Sequence, residues 1–379
     1  MKRSLLLIAL SFCLLNSACS HEKEESYDKP VHTPIPEKKD PIEEKMESMT
    51  LEQKVLQMFF VSPEQLTQGN TVTVYDETLE NAFNTYPVGG VIFFGDNLQN
   101  NDQTASLLGS LYAQSLKQGT PVFLGVDEEG GSVARIASNP SFGVTNEKPA
   151  AQLGDDAELA GERIGTYLKD LGFNVDFAPV SDVAVYGAAV GDRSFGSDPQ
   201  YVHEEAHAFA KGLESQNVMA CYKHYPGFGR ALANTDFQSV SINASLDDLK
   251  SSDLIPYQNA ADIPFVMAGN MAYPNITGSN VPACMSDVLV NNLLINELGY
   301  KGIVITDALN AKAITSYCDT GSAAVNCIQA GIDMLLMPED FVTAYNAVVN
   351  AVNTGVISEE RINQSVKKIL KEKDSYLHK

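Results

Sequence analysis

The chain has 379 residues, enough for one large α/β barrel or two average domains. Apolar residues make up 44% of it, which supports a substantial core, and the formal charge is −22. Such acidity repels phosphate backbones and disfavours electrostatic docking on anionic lipid, so a nucleic-acid partner is excluded.

The N-terminus reads as a targeting segment. Lys2 and Arg3 precede an apolar run from Leu5 to Leu15, which has the length of a signal-peptide core and is short for a membrane span. The run ends in Leu15-Asn16-Ser17-Ala18-Cys19. This resembles a bacterial lipoprotein signal, in which Cys19 would be lipidated and become the mature N-terminus. Asn16 departs from that pattern, which usually has Leu there, and an ordinary secretory signal is the other reading. Residues 20–45 are charged, punctuated by Pro and poor in large apolar side chains, so they are expected to form a disordered tether. The expected location is the cell envelope, with the protein membrane-anchored outside the cytoplasm.

Beyond the tether, residues 46–376 are expected to fold as one domain. Thr50 and Gln53 form a capping box that opens a helix. Eight short apolar runs follow: 57–61, 90–94, 122–126, 175–179, 218–222, 264–268, 302–306 and 333–337. Continuous apolar runs suit parallel strands buried on both faces. The intervals hold helical stretches such as Asp155 to Leu171, Tyr201 to Ser215 and Ser286 to Leu298. Eight such units predict a (β/α)₈ barrel, with an open doubly wound sheet as the competing architecture. No G-x-G-x-x-G or P-loop follows any run, which argues against nucleotide binding.

In a barrel, the C-terminal ends of all strands converge on one mouth. The residues following the runs include Asp127, the Gly191–Gly196 segment with Arg193, the pair Lys223-His224, Asn270 and Asp307. Carboxylates, cations, an imidazole and an amide gathered there would suit a polyhydroxylated ligand.

Six cysteines are present, of which Cys221, Cys284, Cys318 and Cys327 fall in the expected domain. Cys318 and Cys327 are close enough in sequence to bridge in an oxidising compartment, and buried free thiols are the alternative. His203-Glu204-Glu205-Ala206-His207 matches H-E-x-x-H, the zinc protease helix, but has no third His and falls on a helix expected outside the barrel. It reads as an exposed helix rather than a metal site.

The motifs YPVGGVIFFGDN, VDEEGG, GDRSFGSDP, KHYPGFG, GIVITDALNAKAI, AGIDMLLMP and VISEERINQSVKKIL occur in this order between about Glu43 and Tyr376. Together they resemble glycoside hydrolase family 3, and within it the bacterial β-N-acetylglucosaminidases that trim peptidoglycan-derived sugars. The resemblance implies a (β/α)₈-type barrel, a retaining mechanism, no metal or organic cofactor, and a carbohydrate substrate such as a GlcNAc-containing glycan or muropeptide. It places the nucleophile at Asp307 and assigns sugar-binding roles to Asp127, Arg135, Arg193, Lys223 and His224. The chemistry is consistent with this. A retaining nucleophile must stay ionised, and Lys223 and Arg193 nearby would lower the pKa of Asp307. Asp127 can accept hydrogen bonds from hydroxyls, and Arg135 can donate them.

One departure bears on activity. The acetylglucosaminidase branch carries an Asp-x-His dyad after its KH-x-PG-x-G motif, with His as acid/base. Here Asp236 holds the first place and Gln238 the second, and a primary amide does not exchange protons near neutral pH. Phe228 also stands where that branch often has His. The sequence therefore predicts a retaining exo-β-glycosidase that uses Asp307 and Asp236, or else a weak or inactive sugar-binding lipoprotein on the same barrel.

Overall fold

The computed structural model describes residues 40–258 and 260–377. The signal segment, Cys19 and the tether as far as residue 39 lie outside the described residues. The last part of the expected tether is helical: Pro41–Glu47 form a helix whose N-terminus is capped by the Asp40 carboxylate. Pro41 at its first turn and a Lys367–Glu43 ion pair of 2.8 Å favour helix over coil.

Seven of the eight apolar runs contain a strand of one parallel sheet, and the strand that begins in the 218–222 run continues to Tyr225. The eight strands are β1 (Phe59–Val61), β2 (Gly90–Ile92), β3 (Phe123–Val126), β4 (Val175–Asp176), β5 (Met219–Tyr225), β6 (Phe265–Ala268), β7 (Ile303–Thr306) and β8 (Leu335–Leu336). They pair in the order β8-β1-β2-β3-β4-β5-β6-β7. A parallel bridge between Ile305 and Met334, with Thr306 N–H donating to Met334 C=O at 3.0 Å, brings β7 back to β8. The architecture is a TIM-like barrel, as expected, and not an open doubly wound sheet.

Packing inside the barrel explains two glycines. Phe60 of β1 points inward, with its ring 5.1 Å from Phe177 and 6.5 Å from Phe123. A Cβ on Gly90 would stand 2.4 Å from the Phe60 ring, and one on Gly125 would stand 2.7 Å from it. The neighbouring strands thus give up side-chain volume to admit one large ring, which preserves interior packing density.

Helices wrap the sheet. Ala157–Leu171 and Pro199–Ser215 match the expected helices to within two residues, and Thr50 and Gln53 form both bonds of the capping box. The third expected stretch differs: Val288–Glu297 winds as a π-helix. The four domain cysteines are free thiols, so Cys318 and Cys327 do not bridge. His203 and His207 sit on the Pro199–Ser215 helix with rings 6.3 Å apart, and His207 Nε2 is 3.8 Å from Asp262. Beneath the start of β3, the buried Lys373 of helix Glu359–Leu377 donates to Gln57 Oε1 at 2.7 Å. Its ammonium also lies 4.9 Å from the Phe123 ring centroid.

Candidate active site

The C-terminal strand ends enclose a cavity of about 300 Å³ lined by Asp127, Arg135, Arg193, His224, Asp236, Asn270 and Asp307. Ile92, Phe94, Phe228, Met267, Met271, Leu336 and Met337 complete its walls. The wall is about as polar as it is apolar, and its charged and amide groups converge on one space, which suits a polyhydroxylated ligand. Six of the seven residues singled out from the sequence line it. The seventh, Lys223, is buried and does not line it.

Lys223 belongs to an ion network that sequence reasoning did not foresee. Its ammonium donates to Asp127 Oδ1 at 2.8 Å and lies 2.6 Å from Glu129 Oε1. Arg193 makes a two-pronged contact with the same Glu129, through Nε and one terminal nitrogen, each at 2.8 Å. Arg135 approaches Asp127 from the other side at 3.8 Å. Burial pushes the Glu129 carboxyl up, but Lys223 and Arg193 outweigh it and hold the group down at about 2. Burial likewise lowers Lys223 and Arg193, yet their carboxylate partners raise both above their ordinary values.

This network corrects one expectation. Arg193 is held by Glu129 and does not depress Asp307. Burial pushes the Asp307 carboxyl up, and the charge of Asp236 adds to the rise. His224, the Ala308 amide and Lys223 act in the opposite direction without reversing it. Asp307 follows β7 directly, and its Oδ1 accepts the Ala308 N–H at 2.7 Å. Asn270, after β6, donates to Ala308 C=O at 2.8 Å and braces the same turn.

His224 is aimed by a second unforeseen carboxylate. Asp182 is fully buried, and its Oδ2 stands 2.8 Å from His224 Nδ1. Its Oδ1 accepts the backbone N–H groups of His224 and Phe228. That contact fixes the ring orientation and leaves Nε2 as the free ring nitrogen.

Glu128 performs a similar service for Arg135. It accepts from the Ile136 and Ala137 amides at 2.9 and 2.8 Å and from the Tyr167 hydroxyl at 2.9 Å. These bonds close the chain just after Arg135. The only sequence signal for either glutamate was the VDEEGG motif, which does not say that one holds Arg193 and Lys223 and the other the chain after Arg135.

The loop after β5 separates its two expected functional residues. Asn234, Thr235 and Asp236 line the cavity, while the exposed Gln238 lines a neighbouring cavity of about 520 Å³. The Asn234 side chain bonds both the Asp236 amide and the Asp236 carboxylate, at 2.9 and 3.1 Å. The loop is tied to the segment after β7 by Lys312 N–H to Asp236 C=O and Ala313 N–H to Thr235 C=O.

The family model for the glycosyl hydrolase family 3 N-terminal domain matches residues 50–371. The chain belongs to glycosyl hydrolase family 3. Among its family 3 relatives, beta-hexosaminidase A of Pseudoalteromonas piscicida is 30% identical over 335 residues, spanning 79% of this chain and 55% of that protein. A secreted glycosyl hydrolase of Arthroderma benhamiae is 32% identical over 301 residues, or 74% of this chain and 83% of the relative. A family 3 beta-N-acetylglucosaminidase from Paenibacillus superposes with a TM-score of 0.80 at 29% identity. That match covers 87% of this chain and 63% of the Paenibacillus chain. The chain therefore spans little more than half the length of some family 3 relatives that it resembles.

Proposed function

We propose that the chain is a retaining exo-acting β-glycosidase that removes terminal N-acetylhexosamine from cell-wall-derived sugars. The observation that carries this reading is the single cavity in which Asp307 lies beside the Asp127–Lys223–Glu129–Arg193 network. The relatives named as hexosaminidase and acetylglucosaminidase supply the substrate class. Cys19 is proposed as a diacylated anchor in the cell envelope, since two acyl chains hold stably where one holds marginally.

In this reading Asp127, Arg135 and His224 bind the sugar hydroxyls. Arg193 keeps one nitrogen, Nη1, beyond the two engaged by Glu129 and faces the same cavity. Lys223 acts from below by orienting Asp127. The Asp307 carboxylate attacks the anomeric carbon, the bond to the leaving oxygen breaks, and a glycosyl-enzyme ester forms. Asp236 supplies the proton to the leaving oxygen, because it is the remaining carboxyl lining the cavity that no cation engages within 4.0 Å among the described residues. Water then attacks the ester, passes its proton to Asp236 and releases the sugar.

Gln238 contributes no proton, and Asp236 is exposed to solvent, with its carboxylate bonded to the Asn234 amide. Cleavage of a reactive aryl glycoside should therefore outpace release of the sugar from the enzyme. The test is rapid mixing with a nitrophenyl N-acetyl-β-glucosaminide. The expected result is a burst of one phenolate per site followed by slow turnover, with no burst in Asp307→Asn. Absence of a burst, coupled with undiminished sugar binding, would establish the non-catalytic binder instead.

A further inference from the structure

We infer that Cys284 is a positioning residue for the Asp307 nucleophile, acting through the side-chain amide of Asn270. This deepens the glycosidase reading and rests on it. Cys284 is fully buried, and its Sγ stands 3.3 Å from Asn270 Oδ1. A carbonyl oxygen only accepts, so the thiol is the donor. The other end of the same amide donates from Nδ2 to Ala308 C=O at 2.8 Å. Ala308 N–H in turn donates to Asp307 Oδ1 at 2.7 Å. Three hydrogen bonds thus link the thiol to the carboxylate that attacks the sugar.

An asparagine amide keeps its shape when it turns over, but its oxygen and nitrogen change places. Ala308 C=O needs a donor and the Cys284 thiol needs an acceptor, so one orientation alone satisfies both. Asn270 is 2% exposed, so water does not replace a partner lost here. Backbone pairing brings the thiol to its place. Ala283 N–H donates to Met271 C=O at 2.8 Å and Cys284 N–H to Gly269 C=O at 3.1 Å, one on each side of Asn270. A second buried thiol, Cys327, hydrogen-bonds to Cys284 from behind. Burial pushes Cys327 well above the ordinary thiol range, and the bond to Cys284 adds to the rise. Cys327 therefore stays protonated and donates, which leaves the Cys284 proton for Asn270.

Asp307 is where this chain of bonds takes effect. Burial and the charge of Asp236 push its carboxyl up, while His224, the Ala308 amide and Lys223 pull it down. The Ala308 share depends on a peptide whose carbonyl Asn270 holds. Without the Cys284 donor the Asn270 amide is free to turn, and the Ala308 peptide loses its brace. Its N–H then moves away from Asp307, and the carboxyl rises further. A nucleophile that is less ionised and less well aimed attacks more slowly. Asp127, Arg135 and His224, which bind the sugar, lie outside this chain of bonds.

Cys284→Ser keeps a donor at this position, whereas Cys284→Val fills the space without one. Cys284→Ala, smaller and likewise without a donor, should match Cys284→Val. The measurement is the rate of the phenolate burst from nitrophenyl N-acetyl-β-glucosaminide across pH, with calorimetry of N-acetylglucosamine binding alongside. Cys284→Val should slow the burst about five- to tenfold and weaken N-acetylglucosamine by less than about twofold. Because its Asp307 carboxyl is raised, the acidic limb of its burst profile should move to higher pH. Cys284→Ser should restore the rate to within about twofold of wild type and return the limb to its place. Slowing in Cys284→Ser as great as in Cys284→Val, a limb that stays in place, or wild-type kinetics in the donor-free variants would each overturn the positioning role and leave the glycosidase reading intact. A wild type that binds N-acetylglucosamine but gives no burst would overturn that reading, and the role of Cys284 with it.

Discussion

Replacing Glu129 with Gln tests whether one carboxylate organises the floor of the site. Glu129 is almost completely buried, with its side chain 5% exposed, so solvent does little to screen its two cations. Its carboxyl falls from the ordinary glutamate value of 4.5 to about 2. At about 1.4 kcal/mol for each pH unit, that fall corresponds to about 3.5 kcal/mol of stability. A depressed carboxyl contributes this stability fully above about pH 4.5 and loses it as the pH drops towards 2. Glu129→Gln also leaves Arg193 without its buried partner, and breaking such a pair costs about 3–5 kcal/mol. Urea unfolding of wild type and variant should therefore differ by about 3–5 kcal/mol at pH 7, with the gap narrowing by about 3 kcal/mol at pH 2.5. A gap below about 1 kcal/mol at pH 7, or one that stays constant over this range, would refute the assignment of Glu129 as the keystone.

Other substitutions address the acid, the barrel base and the anchor. Asp236→Asn should slow hydrolysis of a natural disaccharide by about 10²–10⁴-fold, and cleavage of an aryl glycoside far less. Because the charge of Asp236 helps to raise the Asp307 carboxyl, the same variant should move the acidic limb of the aryl-cleavage pH profile to lower pH; a limb that stays in place would uncouple the two carboxylates. Burial pushes Lys373 well below its ordinary value, so the unfolded chain binds its proton more readily than the native one. Wild-type stability should then rise as the pH climbs towards 10.5, and Lys373→Met should remove that rise; parallel curves between pH 7 and 10 would count against the lowering of Lys373 by burial. Cys19→Ala should release the protein from membranes in a fractionation experiment, and retention there would disprove the lipid anchor.

The barrel was legible because its strands are buried on both faces, so they left short apolar runs, interrupted in the 175–179 run by the buried Asp176. Run length did not give strand length: Val175–Asp176 and Leu335–Leu336 are two-residue strands within five-residue runs, whereas Met219–Tyr225 outlasts its run by three residues. Burial alone makes a residue apolar, whether or not its backbone joins the ladder. Asp307 and Asp127 were legible for the same reason, since each directly follows a strand whose end can be seen. The Val288–Glu297 π-helix was not legible, because its composition is that of an ordinary helix and only the hydrogen-bond register differs.

The hidden parts of the site are those fixed by partners far apart in sequence. Asp182 lies six residues beyond β4 in irregular chain, and it acts on His224 and Phe228, which no spacing rule connects to it. Glu129 is adjacent to Glu128, and the short hairpin of 128–130 with 133–134 sends their carboxylates to different partners. The spacing of Asp236 and Gln238 suggested a shared place, but the Asn234 side chain folds the turn so that the two line different cavities. A role for either residue has therefore to be argued from the cavity its side chain lines and not from the spacing of the two.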